Sequence, residues 1–208
     1  MRKTDDAVSP VVGVMLMLVI TIILAAVISG FASGVLTNID TPSQATFTVS
    51  STIEKISDTD KTNAVPDSPQ TADNGIKFIL SGGDRLFLDN LVVQFTNDRT
   101  QMQFDLKTIS NGSIADAPVL TFKGENTYFS TGGLDYTELN AGDYFVLLAD
   151  SCYDSTGATD TSVTKGKFLV WTPSGSKGSF EAQVGKDLQY SIIEKSSGNV
   201  LQRGTVRV

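Results

Sequence analysis

The 208-residue chain contains no histidine and a single cysteine, Cys152. The first absence removes the commonest general base, the usual partner of a nucleophilic serine or cysteine, and the commonest metal ligand. The second excludes a disulfide within one copy, and Cys152 reads as a small, half-buried apolar residue. Charge is also thin. Charged residues make up 19% of the chain, against about 25% in soluble globular domains. No Asp, Glu, Lys or Arg falls between Asp6 and Asp40. Clustered Lys and Arg, the footprint of nucleic-acid binding, are lacking, and 23 acidic against 16 basic residues leave a net charge of −7. Nucleic acid is thereby set aside as a partner and catalysis is poorly provided for. No nucleotide, zinc or triad motif is found, and no cofactor or metal site is implied.

What the chain does have is a long apolar run. Met1 to Asp6 reads MRKTDD, and residues 7–39 follow without a charge. A helix from about Pro10 to Thr37 would be roughly 40 Å long at 1.5 Å per residue. That exceeds the ~30 Å hydrocarbon core of a bilayer. Ser9 is placed to cap the helix, and Pro10 suits its first turn, where a missing N–H costs nothing. Arg2 and Lys3 favour a cytoplasmic amino terminus, and the next basic residue is Lys55. Most of the chain is then expected outside the cell, with the helix in the membrane.

Three readings of this segment compete. A secretory signal peptide would need an apolar core of about 7–15 residues before a small-residue cleavage site. This run is longer, although Ser29, Gly30, Ala32 and Ser33 supply small residues. An uncleaved anchor is the second reading. The third is a class III leader, cut before the apolar stretch so that the helix stays on the mature protein. Asp6-Ala7-Val8-Ser9-Pro10-Val11-Val12-Gly13 closely resembles the start of archaeal type IV pilins, and residues 14–34 are similar to that family's apolar helix. The resemblance implies cleavage by a prepilin peptidase after Ala7, with Val8 as the first mature residue. It implies a filament homopolymer built through the helix with the pilus assembly machinery. The subunit would start in the cell membrane and finish at the cell surface. Bacterial type IV pilins usually carry glutamate at the fifth mature position, where this chain has Val12. Archaeal pilins often lack it too, so assembly would rest on apolar packing.

A seam of small residues fits that expectation. Ala26, Gly30 and Gly34 recur every four residues, with Ala25, Ser29 and Ser33 beside them, and residues four apart share a helix face. Such a seam lets backbones approach closely. The opposite face is expected to carry Leu16, Val19, Ile20, Ile23 and Val27.

Beyond a polar hinge at residues 41–44 the pattern changes to period-two alternation broken by Gly, Asn, Asp and Ser. Strands are expected at 47–53, 76–80, 86–95, 102–109, 119–123, 144–148, 167–171, 180–184, 188–193 and 200–208. Residues 57–75 and 154–164 read as long exposed loops. The fold class is a long amino-terminal helix followed by an all-β unit, an antiparallel β-sandwich of immunoglobulin-like or archaellin-like kind. The expected divisions are a leader over 1–7, the helix over 8–40 and the β domain over 45–208. Residues 78–86, with Gly82-Gly83-Asp84, resemble a strand–turn–strand segment of archaeal pilin domains, where a histidine often stands in place of Ser81. The last hairpin, 197–208, is likewise similar. Gly82-Gly83-Asp84 is a tight turn needing positive φ rather than a phosphate cradle, since no helix follows it.

The remaining candidates are few. Asn111-Gly112-Ser113 is the one N-glycosylation sequon, and the resemblance to surface filaments makes Asn111 a candidate glycan acceptor. Asp58, Asp60, Asp154 and Asp160 read as solvated loop carboxylates, because their spacing matches no calcium loop. Phe168, Trp171, Tyr144 and Phe145 are explained by core packing before any ligand stacking. The leading function is a filament subunit for adhesion or attachment. The rival is an uncleaved, membrane-tethered binding module, and an extracellular enzyme is a distant third.

Overall fold

The structure is a computed structural model, and it describes residues 10–36, 43–53, 56, 74–98, 100–110, 119–132, 137–159, 161–162 and 164–208. The chain divides into two compact units, Met1–Thr41 and Pro42–Val208.

The first unit is one helix, α1 (Pro10–Leu36), 27 residues long. It opens at the proline, as a residue with no N–H to satisfy should. Its Val and Ile content lowers intrinsic helix propensity. In an apolar solvent, however, a helix is the form that satisfies every backbone group within one segment.

The second unit is all antiparallel β. In chain order its strands are β1 (Ala45–Thr52), β2 (Gly75–Gly83), β3 (Leu86–Phe87), β4 (Leu91–Thr96), β5 (Gln101–Phe104), β6 (Thr121–Phe122), β7 (Glu125–Asn126), β8 (Phe129–Ser130), β9 (Glu138–Leu139), β10 (Tyr144–Leu148), β11 (Ser151–Asp154), β12 (Lys167–Trp171), β13 (Phe180–Gln183), β14 (Asp187–Glu194) and β15 (Val200–Arg207). One four-stranded sheet runs β1-β2-β10-β8 and another β15-β14-β4-β5. A three-stranded sheet, β11-β12-β13, and the ribbons β3-β9 and β6-β7 complete the unit.

The three sheets share one core. Phe78 and Phe145 stack at 4.9 Å within the first sheet, and Phe78 meets Tyr190 of the second edge-on at 5.8 Å. Phe95 of β4 touches Phe104, Trp171 and Phe180 at 5.4, 5.3 and 5.8 Å, joining the second sheet to the third. All of these rings are buried. Truncating one at the centre, such as Phe95→Ala, would cost about 3–5 kcal/mol.

Several elements depart from the sequence expectation. The run at 86–95 is broken by a 3-10 turn at Leu88–Asn90, which tucks Leu88 into the core. The run at 102–109 stops at Phe104, because Asp105 folds the chain back. Its carboxylate accepts from the Lys107 N–H at 3.0 Å and the Thr108 hydroxyl at 2.8 Å. The 154–164 stretch is not simply exposed: Ser155 and Ala158 are buried. The Ser155 hydroxyl donates to the carbonyls of Thr164 and Gly166 at 2.8 and 3.0 Å. Gly75, expected in a loop, opens β2 and is packed so tightly that a Cβ there would lie 2.3 Å from the Leu147 carbonyl oxygen. Of the two glycines before Asp84, both end β2 and only Gly83 has positive φ, at 107°.

Candidate assembly helix

Every side chain from Val11 to Phe31 is exposed, and the span is 21 residues with no charge. At 1.5 Å per residue it covers about 32 Å, the thickness of a bilayer's hydrocarbon core. Met17 and Phe31 are 70% and 71% exposed. A single copy therefore leaves this surface entirely to its surroundings. In water each buried Leu, Ile or Val would be worth about 1.5–3 kcal/mol, so the helix cannot rest there uncovered.

Polar groups on α1 are few. The Thr21 hydroxyl donates to the Leu18 carbonyl at 2.8 Å, which removes the cost of an unpaired hydroxyl in an apolar medium. There is no acidic residue in the first turn and no basic residue in the last. Val12, in the first turn, is exposed. Nothing on this helix can form an ion pair with a neighbouring copy.

Ala26, Gly30 and Gly34 all lie on α1. The position where Gly30 would carry a Cβ is open space. Helix geometry corrects one expectation. At about 100° per residue, Leu16, Ile20, Ile23 and Val27 do not lie opposite Gly30 and Gly34. They extend the same row toward the amino end, with steps alternating between four and three residues, the spacing of a helix–helix seam. The row is thus bulky below and bare above.

The other sequence candidates do not converge on this helix. Asp6, Ala7 and Val8 lie outside the described residues, as do Asn111, Asp58, Asp60 and Asp160. Asp154 has a local role: it accepts from the Thr156 N–H at 3.0 Å and pairs with Lys167 at 3.7 Å. A bond from the Thr156 hydroxyl above all, then that N–H and Lys167, outweighs its slight desolvation and holds the carboxyl below its ordinary range. Cys152 is fully buried rather than half-buried, and the Asn74 side-chain amide donates to its sulfur at 3.5 Å. Among the described residues no three His, Cys, Asp or Glu side chains are grouped to hold a metal. Trp171 and Phe145 are core residues. Phe168 stacks on Tyr153 at 4.9 Å in a small second cluster. An open cleft of about 450 Å³ lies beside Phe168 and Glu181. The Tyr153 hydroxyl donates to Glu181 at 3.3 Å. Burial, then the Glu181 charge, pushes the Tyr153 phenol well above its usual range.

Sequence reasoning missed how the first residues of the β unit are held. The Gln44 N–H donates to the Asp84 carboxylate at 2.9 Å and the Asp84 N–H to the Gln44 carbonyl at 2.7 Å. The Gln202 side-chain amide accepts from the Phe47 N–H at 2.7 Å and donates to the Phe47 carbonyl at 2.9 Å, standing in for a strand where β15 approaches β1. The same amide also donates to the Tyr190 hydroxyl at 2.7 Å. Gly204 makes room for that hydroxyl, since a Cβ there would sit 2.7 Å from it. Ser43 donates to the buried Glu194 at 2.7 Å. No local signal marked this grip: β15 reads VLQRGTVR, and neither Gln202 nor Gly204 names a partner 155 residues away.

The family model described as archaeal type IV pilin, N-terminal, matches residues 6–47. This interval holds the candidate cleavage residues, all of α1 and the start of β1. No curated protein sequence matches the chain. Residues 6–47 are therefore similar to the archaeal type IV pilin amino-terminal segment, and they lead into an antiparallel β unit.

Proposed function

We propose that the chain is the structural subunit of an archaeal type IV pilus-like surface filament used in adhesion or in surface and cell–cell attachment. One observation carries the reading: the segment that matches the pilin amino-terminal family is a helix with 21 consecutive exposed, uncharged residues. Such a surface has two stable settings, a bilayer and a bundle of its own copies. The precursor sits in the cell membrane. A prepilin peptidase cuts after Ala7, the assembly machinery lifts the helix out, and the helices pack into a filament core. The β units, over 45–208, then form the outside at the cell surface, with Asn111 as a glycan acceptor. The role is structural, not catalytic.

The test is mass spectrometry of the amino-terminal peptide, with electron microscopy of the sheared surface fraction. Filaments whose subunits begin at Val8 are expected. An intact Met1 terminus confined to membranes would replace this reading with a tethered binding module.

A further inference from the structure

We propose that residues 43–47, held by Asp84, Glu194 and Gln202, are a tension clamp that keeps the β unit folded when the chain is pulled through α1. On the filament reading above, on which this rests, a subunit anchored by its helix and attached to a surface by its β unit is stretched between the two.

Tension that arrives from α1 enters the β unit at Ser43, because residues 37–42 are the covalent link to it. A strand end is ordinarily where a sheet frays first. β1 reverses that order. Just before it, Ser43 donates to Glu194 at 2.7 Å, and Gln44 and Asp84 exchange two hydrogen bonds at 2.9 and 2.7 Å. The Gln202 amide then takes both backbone groups of Phe47 at 2.7 and 2.9 Å. At the far end of the strand the side chains of Ser50, Ser51 and Thr52 make no hydrogen bond among the described residues.

The bonds fall where the ladder needs them. The β1–β2 register shifts between Thr46 and Phe47, and Leu80, which faces Phe47, bonds instead to Gly142 and Asp143. The Phe47 N–H and carbonyl are thus left for another partner, and Gln202 supplies it. That amide is itself held, since it donates to the Tyr190 hydroxyl at 2.7 Å. Gly83, at φ 107°, lets Asp84 close on Gln44; a Cβ at position 83 would collide with the Gln44 carbonyl. Glu194 is buried, with one carboxylate oxygen taking Ser43 and the other Ser197 at 2.6 Å. Swinging it away from Ser43 would leave a buried charge short of a bond.

The three holding residues belong to different parts of the fold. Asp84 follows β2 of the first sheet, while Glu194 ends β14 and Gln202 lies on β15, both of the second. A pull on Ser43 is therefore shared by both large sheets from the first residue, and β1 cannot peel from β2 alone. Bonds that served overall stability would matter equally for every direction of pulling. Bonds that serve as a clamp matter most when the force enters at Ser43.

Because Cys152 is buried, pairs of cysteines introduced into the full chain in detergent take handles for single-molecule pulling. Asn38→Cys with Lys186→Cys routes the force through residues 43–47. Gln101→Cys with Lys186→Cys bypasses them, and Gln101 and Lys186 are both exposed. Forced unfolding reads the unfolding rate. Gln202→Ala removes both bonds to Phe47 and should raise that rate at fixed force about tenfold or more through the first pair, and less than about twofold through the second. Asp84→Ala, at an exposed side chain, removes one bond and should show the same asymmetry at about threefold or more. It keeps the test decisive if Gln202→Ala fails to fold. An equal rise through both pairs overturns the inference, since the bonds then serve stability alone. No rise through the first pair also overturns it. The comparison is made on single subunits, so it decides the clamp separately from the peptide and microscopy result that decides the filament.

Discussion

Gly30 lies in the carboxyl-terminal third of α1, and the space its Cβ would enter is empty within one copy. Leucine there meets nothing in the isolated helix. It also gains about 1 kcal/mol of helix propensity over glycine. Gly30→Leu should therefore enter the membrane at least as well as the parent. The penalty arises only when another helix occupies that space. Overpacking costs about 1–3 kcal/mol per site, so Gly30→Leu combined with Gly34→Leu loses about 2–6 kcal/mol per subunit. That is about 30-fold to 20,000-fold in association. The assay measures subunit in the membrane fraction and filament in the sheared fraction of the same cells. Normal membrane levels with filament yield down at least about 30-fold are expected. Wild-type yield from the double variant would refute the close-approach seam. Loss of the membrane pool would refute the claim that the single helix tolerates bulk at position 30.

Three further outcomes follow from local geometry. Ala7→Leu should leave the leader on and block assembly, read as an uncut amino-terminal peptide; normal filaments would count against cleavage at Ala7. Gly75→Ala forces a Cβ to within 2.3 Å of the Leu147 carbonyl oxygen, so thermal unfolding should show a loss of about 1–3 kcal/mol from overpacking, and an unchanged melting curve would contradict the β2–β10 register. Burial alone would raise the Asp105 carboxyl, but the Lys195 ammonium 2.8 Å away, the Thr108 hydroxyl and the Lys107 N–H together hold it below 3.8. The stabilisation is then complete above the unfolded value and lost as pH falls through the lower folded one. Because the pair is about a quarter exposed, Asp105→Asn should cost only about 1 kcal/mol at neutral pH, and the gap from the parent should close below the ordinary carboxylate range in acid unfolding curves.

The sequence was legible where a segment met one solvent or one neighbour. Strands 144–148 and 167–171 have the expected bounds, and Leu188, Tyr190 and Ile192 share one buried face as alternation required. The helix was legible because nothing charged interrupts it. β11 was missed for a physical reason: Cys152 and Tyr153 are both buried, one in the main core and the other in the second cluster, so Ser151–Asp154 shows no alternation. The end of β5 was in principle readable, since an aspartate two residues before a free N–H and three before a threonine is a turn former. The grip on residues 43–47 was not readable, because Gln202 lies 155 residues from Phe47. The amino-terminal motif was legible as a family resemblance, and the family model matches that same stretch, residues 6–47.

On the filament reading, the energetics of assembly turn on fit rather than on hydrophobic burial. A helix in a bilayer is already out of water, and lipid tails are about as apolar as leucine, so moving α1 from lipid into a bundle gains little from the hydrophobic effect. On the same reading, cleavage after Ala7 would put a positive amine two residues before Pro10, on the side of the helix dipole's positive end. With Val12 where a carboxylate could have stood, that repulsion, about 0.3–1 kcal/mol, goes unopposed. What remains to favour the bundle is close van der Waals contact. Each heavy-atom pair gives only about 0.1–0.2 kcal/mol, but tens of pairs form where backbones come together. Glycine at positions 30 and 34 permits that approach and bulky residues in the same row do not. The bare end of the row would therefore set assembly, and the bulky end would serve mainly to exclude water once the helices have met.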